Sequence, residues 1–328
     1  MLHSKTYNMN LRKLSYILFF GFLVFAACFQ LATPTLAIFF AYFALSRFSK
    51  FVRKGVSVIL LSVLVLGIFY GMAFFIKASV KTLPRIAETS VPLAIDYAAK
   101  KGFELPFTDV ESLKVLAVSQ VQHGLGDLAK FTQVVTKEFV FVIIGLIIAI
   151  SIFLNGKIDL GHGTYAIENN LYSKLSEEVA ARFIGFYNSF ATVIGAQLAI
   201  SAINTAFTAV FTLVAGVPHA HIVVVITFLC GLLPIIGNLI SNTIICGVAV
   251  TKSPELAIVS LLYLVMIHKV EYFLNSKIIG GRIKNPMWLT LLGLIIGERI
   301  MGIPGMILAP VVLYYLKIEG SRIEVKKA

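Results

Sequence analysis

Six polar side chains recur along Phe183–Val217, a stretch that carries no charge: Gln197, Ser201, Asn204, Thr205, Thr208 and Thr212. On a helix they fall within about 100° of one another, so one face is rich in hydroxyls and amides over roughly four turns. Such a stripe either lines a path for a polar solute or hydrogen-bonds to packed neighbours. A second group sits at a Gly/Pro interruption, Gly231-Leu-Leu-Pro-Ile-Ile-Gly-Asn238. Pro234 removes an amide donor and frees a carbonyl, Gly231 and Gly237 admit unusual dihedrals, and Asn238, Ser241 and Asn242 follow directly. Freed carbonyls and amide oxygens are hard ligands suited to Na⁺ or to a polyhydroxylated solute. The plainer reading is a packed helix break whose polar groups satisfy one another.

Two further groups carry charge. On Leu256–Asn275, His268, Glu271 and Asn275 lie within about 60° of one another. Glu271 beside His268 is a candidate proton-linked pair, unless this helix end is simply solvated. Glu298 and Arg299 are the only charges in Trp288–Leu316, a run interrupted at Gly302, Pro304 and Gly305. Each costs about 2.5–3.5 kcal/mol at a bilayer centre on insertion scales, so they belong at a hairpin tip near water or at a gate.

No HExxH, GxSxG or Walker loop occurs, nor paired carboxylates on a soluble domain, so the expectation is a protein that is not an enzyme. His219 and His221 read as surface residues at a helix start. Cys28, Cys230 and Cys246 each lie in an apolar run without metal-ligand spacing and read as small apolar residues. Phe25-Ala-Ala-Cys28 has the form of a lipoprotein cleavage box, but apolar sequence continues to Leu45, which suits a helical hairpin better. No organic cofactor and no bound metal are expected; Na⁺ or H⁺ is the candidate coupling ion.

These groups need elements to hold them, and composition says which kind. Of 328 residues, 58% are hydrophobic and 13% charged, against about 25% charged in soluble domains. The mean hydropathy is +0.91. The fold class is therefore all-α: a polytopic helical membrane protein. The net charge of +12 sits between apolar runs, as the positive-inside rule expects, which argues against nucleic acid as a partner.

Leu14–Leu31 and Thr35–Ser46 read as a hairpin of spans, with Pro34 opening the second. Arg47, Lys50, Arg53 and Lys54 follow without an acid, and Val56–Ile76 is a third span. Lys77–Lys137 differs in kind, with eight basic residues, six acids and the breakers Pro84, Pro92 and Pro106. It reads as a small amphipathic helical insert outside the cytoplasm. Phe139–Leu154 returns, and Leu171, Leu175, Val179 and Phe183 recur every four residues on an interfacial helix running into the next span. Three regions result: residues 1–76, the insert 77–137 and a C-terminal transmembrane region 138–328.

Ile222–Thr251 and Trp288–Leu316 are each roughly 30 residues, about 45 Å as straight helix against a core of about 30 Å. Each must therefore break or fold back. If both cross, there are eight spans and the basic loop Ser276–Asn285 lies outside. If both are re-entrant hairpins, Lys277, Arg282 and Lys284 lie inside, which the basic-residue bias favours. Either way the basic N-terminus and the tail (Lys317, Arg322, Lys326, Lys327) are cytoplasmic.

Three motifs resemble the AI-2E family of bacterial transporters in order and spacing. They are Gly231-Leu-Leu-Pro-Ile-Ile-Gly-Asn238, then His268-Lys-Val-Glu-Tyr-Phe-Leu-Asn-Ser-Lys-Ile-Ile-Gly280, then Gly302-Ile-Pro-Gly-Met-Ile-Leu-Ala-Pro310. Length, N-terminal hairpin and insert also fit, so the resemblance covers nearly the whole chain. It implies a multi-pass protein of the bacterial cytoplasmic membrane. Members have been assigned export of the furanosyl signal autoinducer-2, and others Na⁺(Li⁺)/H⁺ antiport. The expected partners are membrane lipid and a small polar solute or monovalent cation, with a homo-oligomer open. Ser276 stands where many members have Pro, and Glu298-Arg299 where small or less charged residues are usual. Both leave room for a different substrate or gate. The expectation is a secondary transporter or exporter with its site between the two broken runs. The alternatives are a cation/proton antiporter and a membrane scaffold without transport.

Overall fold

The computed structural model describes residues 2–100, 128–155, 170–233, 236–278 and 286–322. Every regular element among them is helical: α1 (Leu2–Cys28), α2 (Ala32–Phe48), α3 (Lys54–Lys100), α4 (Leu128–Leu154), α5 (Leu171–Val214), α6 (Ala220–Gly231), α7 (Ile236–Val250), α8 (Pro254–Ile278) and α9 (Met287–Ser321). Among the described residues, five helices are by length and composition alone long and apolar enough to cross a membrane: α1, α3, α4, α5 and, taken as one continuous run, α9. Only 6% of the α3 span Lys54–Phe75 is buried, so Ile59, Val63 and Leu66 present apolar surface outward, as a lipid-facing helix does.

Two expectations about helix ends change. Pro84 and Pro92 do not break the chain, because α3 runs through both to Lys100. A proline in a helix interior forfeits one intrahelical bond and costs about 3 kcal/mol, and the run nevertheless stays helical on both sides of each. The boundary expected at 76–77 thus falls inside one helix, while residues 101–127 of the insert lie outside the described residues. The interfacial helix does continue into the following span, and α5 is one element of 44 residues.

The chain divides into two compact units, the first comprising Met1–Ser62, Glu138–Gly195 and Ile283–Ala328. Its core is aromatic. Phe19 is fully buried and meets Phe183, Phe186 and Tyr315 with ring centroids 5.2, 5.7 and 5.1 Å away. A Cβ on Gly145 would stand 2.6 Å from the Ala37 Cβ, so glycine is what lets α4 lie against α2. Beside this core, Arg182 donates to the Tyr16 hydroxyl at 2.8 Å and to Glu319 Oε2 at 2.9 Å, and its other amino group donates to Glu178 at 2.9 Å. The Tyr16 hydroxyl also donates to Glu319 Oε2 at 2.8 Å, and Arg322 donates to Oε1 at 2.8 Å.

In the same unit α9 is folded back on itself. Gly302 has φ 63° and ψ −148° inside an otherwise helical run, a backbone state essentially confined to glycine. The residues on either side meet across the fold. A Cβ on Gly293 would reach the Leu313 side chain at 2.9 Å, and one on Gly297 would reach the Gly305 carbonyl at 2.5 Å. Pro304 lies in the first turn of the returning half, where its missing donor leaves no helical bond unmade. The outgoing half is about 22 Å long, short of a hydrocarbon core of about 30 Å. This run is a hairpin with Gly302 at its pivot, and Glu298 and Arg299 stand exposed beside that pivot.

Gly302→Ala is expected to lower stability by about 1–3 kcal/mol, the cost of holding a Cβ in that backbone region. Gly320, an ordinary helical glycine with nothing within 4 Å of its Cβ position, is the control. Melting of the detergent-purified protein should shift down for Gly302→Ala and hold or rise for Gly320→Ala.

The second unit comprises Val63–Lys137 and Ala196–Arg282. Here the first broken run is also a hairpin. Val223, near the start of α6, shares a core with Ile245 and Val248, near the end of α7. At the hairpin's open end Lys252 Nζ donates to the Gly216 carbonyl at 2.9 Å. Gly216, at φ 64°, ends α5, and the Val217 amide bonds back to the Thr212 carbonyl at 2.9 Å, closing a Schellman turn whose freed carbonyl attracts the lysine. At the closed end a Cβ on Gly237 would overlap the Cys230 carbonyl. At 12 and 15 residues, α6 and α7 are about 18 and 22 Å long, too short to span singly.

α8 completes this unit and packs on α7. Its N-terminus is capped by Ser253, whose Oγ accepts from the Leu256 amide at 3.1 Å. The exposed Glu255 carboxyl is held below the usual carboxylate range by its own backbone amide and by the Ser253 hydroxyl.

Candidate functional site

Within the second unit, polar side chains of α5, α6, α7 and α8 converge on one small cavity. Asn204 and Thr208 come from α5, Thr227 from α6, Asn238, Ser241 and Asn242 from α7, and His268 and Glu271 from α8, with Leu264 and Ile267 completing the wall. Its volume is about 10 Å³, room for about one water.

The strongest interaction joins α7 to α8. Asn238 Nδ2 donates to both oxygens of Glu271 at 2.6 Å. A hydrogen bond to a charged group contributes about 1.5–3 kcal/mol, more than a neutral one, because the carboxylate has little water to fall back on. Three features of the sequence place it. Gly237 lets α7 start against the end of α6, Asn238 then occupies the first turn of α7, and Ser241 bonds back to the Asn238 carbonyl at 3.2 Å. Glu271, three residues after His268, turns inward and is half-buried, while His268 is exposed on the rim. The partner of Glu271 is therefore Asn238, not His268. Residues three apart on one helix share a face, but an amide from a facing hairpin reaches the carboxylate head-on.

The α5 stripe splits between its two readings. Gln197 donates to the Gly231 carbonyl at 2.6 Å and Ser201 to the Phe228 carbonyl at 2.8 Å. These two cap the last turn of α6, whose carbonyls have no intrahelical partner. Thr212 bonds within its own helix to the Ala209 carbonyl at 3.1 Å. Thr208 meets the Tyr263 hydroxyl at 3.2 Å, below which Tyr263 stacks on Phe211 with centroids 4.0 Å apart. Asn204, 8% exposed, leaves Oδ1 buried without a partner, as does the Thr205 hydroxyl. An orphaned amide oxygen on the cavity wall is an unmet acceptor of the kind a guest satisfies.

Seven of the expected site residues thus line one cavity: Asn204, Thr208, Asn238, Ser241, Asn242, His268 and Glu271. Gln197, Ser201 and Gly237 shape its surroundings. Pro234 and the side chain of Asn275 lie outside the described residues. Glu298, Arg299, Gly302, Pro304 and Gly305 belong to the other hairpin, in the first unit, so the polar cavity is built without them. Thr227 and Tyr263 were not expected. Thr227 is the lone hydroxyl between Ala220 and Gly231, a signal the sequence offered. Tyr263 lies eight residues before Glu271, about 80° around the helix, and its role depends on what faces it. Among the described residues no group of three or more His, Cys, Asp and Glu is placed to hold a metal.

Spans, two fold-back hairpins and an ionisable polar cluster walled by helices define a polytopic helical membrane protein with two broken C-terminal segments. Residues 14–319 match the family model described as AI-2E family transporter, and the chain belongs to that family. It is also 28% identical over 145 residues to the "Putative transport protein YdbI" of Bacillus subtilis (strain 168), a stretch covering 43% of this chain and 41% of that protein.

Proposed function

We propose that this chain is a secondary transporter of a small polar solute, with the Asn238–Glu271 cluster as the polar station on its path. The observation that supports this reading is a carboxylate held by an amide across a hairpin interface and surrounded by unmet or exchangeable polar groups, Asn204 Oδ1 foremost. Intramembrane carboxylates and amides are costly unless paired or hydrated, and where they occur they commonly mark substrate or ion pathways. A furanosyl signal of the autoinducer-2 type suits amide and hydroxyl walls, and its passage requires the α6–α7 hairpin to part from α8, since the cavity as it stands admits one water. With no nucleotide-binding motif in the sequence, an ion gradient or downhill efflux drives the flux. The membrane is the bacterial cytoplasmic membrane, with the termini on the cytoplasmic side, in keeping with the basic residues at both ends and at Arg47–Lys54.

A second reading is cation/proton exchange at Glu271. It is favoured by the cavity's small volume and by the oxygen donors of Asn204, Thr208, Thr227, Ser241 and Glu271 around it, a set suited to a small hard cation. Purified protein in vesicles, offered an autoinducer-2-type sugar and, separately, Na⁺ or Li⁺ with a proton-sensitive dye, separates the two. Saturable sugar flux is the expected result. Cation-driven proton movement without sugar flux establishes the second reading, and absence of both under every gradient overturns each.

A further inference from the structure

A second cavity lies in the first unit and shares nothing with the polar one. It is a groove of about 470 Å³ between α1, α2, Phe186 of α5 and both halves of α9. Its depth comes from small residues, Ala26, Ala27, Gly293, Gly297, Gly305 and Ala309. The hydroxyl of Thr35 on its wall is already donated to the Leu31 carbonyl at 2.7 Å. The groove therefore offers apolar contact and no polar recognition, which suits hydrocarbon and not a hydrated solute.

Charge at its mouth narrows the occupant. Phe20, Leu23, Val24 and Ala27 line the groove from one face of α1. Lys13 stands seven residues earlier, within about 20° of Phe20 and about 10 Å nearer the N-terminal end. Arg12 is beside it, and both are exposed. No Asp or Glu precedes Glu88 in the sequence. The carboxylate nearest this end on α9, Glu319, is taken by Arg182, Tyr16 and Arg322.

We propose that the groove seats an acyl chain of an anionic phospholipid whose headgroup is held by Lys13 and Arg12. The far end of the groove reaches Ile300 and Met301 beside the Gly302 pivot. A seated chain packs along both halves of the hairpin as far as the pivot that joins them, and holds that hairpin closed.

The test uses the full chain purified in detergent with equal phosphatidylglycerol and phosphatidylcholine, bound lipid being read by native mass spectrometry. Wild type should retain phosphatidylglycerol preferentially. The double variant Arg12→Glu/Lys13→Glu should lose that preference about tenfold or more while keeping its residual phosphatidylcholine. Ala27→Trp should lose both lipids, and Val312→Trp, which fills the groove from another helix, should do the same if Ala27→Trp fails to fold. Equal retention of the two lipids by wild type overturns the proposal. So does unchanged phosphatidylglycerol in a folded groove-filling variant. Unchanged lipid together with loss of an oligomer in that variant assigns the groove to a second copy instead and likewise overturns it.

Discussion

Arg182→Met is expected to lower stability by about 3–5 kcal/mol, the cost of leaving a buried charge without its partner. The side chains of Arg182 and Glu319 are 11% and 7% exposed, and their ion pair is 2.9 Å long. Three helices meet there: Tyr16 on α1, Arg182 and Glu178 on α5, and Glu319 on α9, with Arg322 as the C-cap residue that ends α9. The guanidinium also lies 4.4 Å from the Tyr16 ring centroid, a contact that strengthens where water is excluded. Removing Arg182 leaves Glu319 with Tyr16 and the solvent-facing Arg322, whose side chain is 59% exposed. Arg322→Met should accordingly cost no more than about 1 kcal/mol. The double variant Arg182→Met/Glu319→Leu should recover much of the loss, because it removes both desolvated charges. Thermal melts of the four proteins decide it. A single-variant loss as small as that of Arg322→Met would show that water reaches this cluster freely.

Glu271→Gln is expected to reduce flux about 10- to 100-fold with the fold intact. The interaction at stake is a charge-assisted bond of about 1.5–3 kcal/mol, which corresponds to that range if it is made or broken on the path. Asn238→Leu should produce a similar loss. The double variant should be little worse than either single one, because the two side chains form one unit across the α7–α8 contact and their effects do not add. Ser201→Ala, which touches only a helix-end carbonyl, should change flux far less while lowering stability by about 1 kcal/mol.

Much of the architecture was legible in residue types alone. Apolar run lengths and the Gly/Pro breaks showed that both runs must break or fold back, because a length of helix that does not match the bilayer leaves few options, and only the basic loop Ser276–Asn285 favoured hairpins over spans. The α5 stripe announced that a polar surface lies against this helix. Which member serves which purpose was not legible: Gln197 and Ser201 bind backbone while Asn204 faces the cavity, and the difference depends on where the end of α6 falls. The partner of Glu271 was likewise hidden, because spacing along α8 brings His268 near it whereas only the hairpin's fold brings Asn238. The Arg182–Glu319 pair, 137 residues apart in sequence, had no local signal at all. Pro84 and Pro92 misled for the opposite reason: proline's cost is a local tendency of about 3 kcal/mol, and the 47-residue helix continues through both.

On the proposed reading the Asn238–Glu271 cluster lies on the transport path. Solute flux into vesicles holding equal amounts of folded wild type, Glu271→Gln and Glu298→Gln, the last an exposed carboxylate on the other hairpin, tests it most directly. Flux reduced 10-fold or more in Glu271→Gln and near wild type in Glu298→Gln is the predicted result. Wild-type flux in a folded Glu271→Gln protein would contradict it.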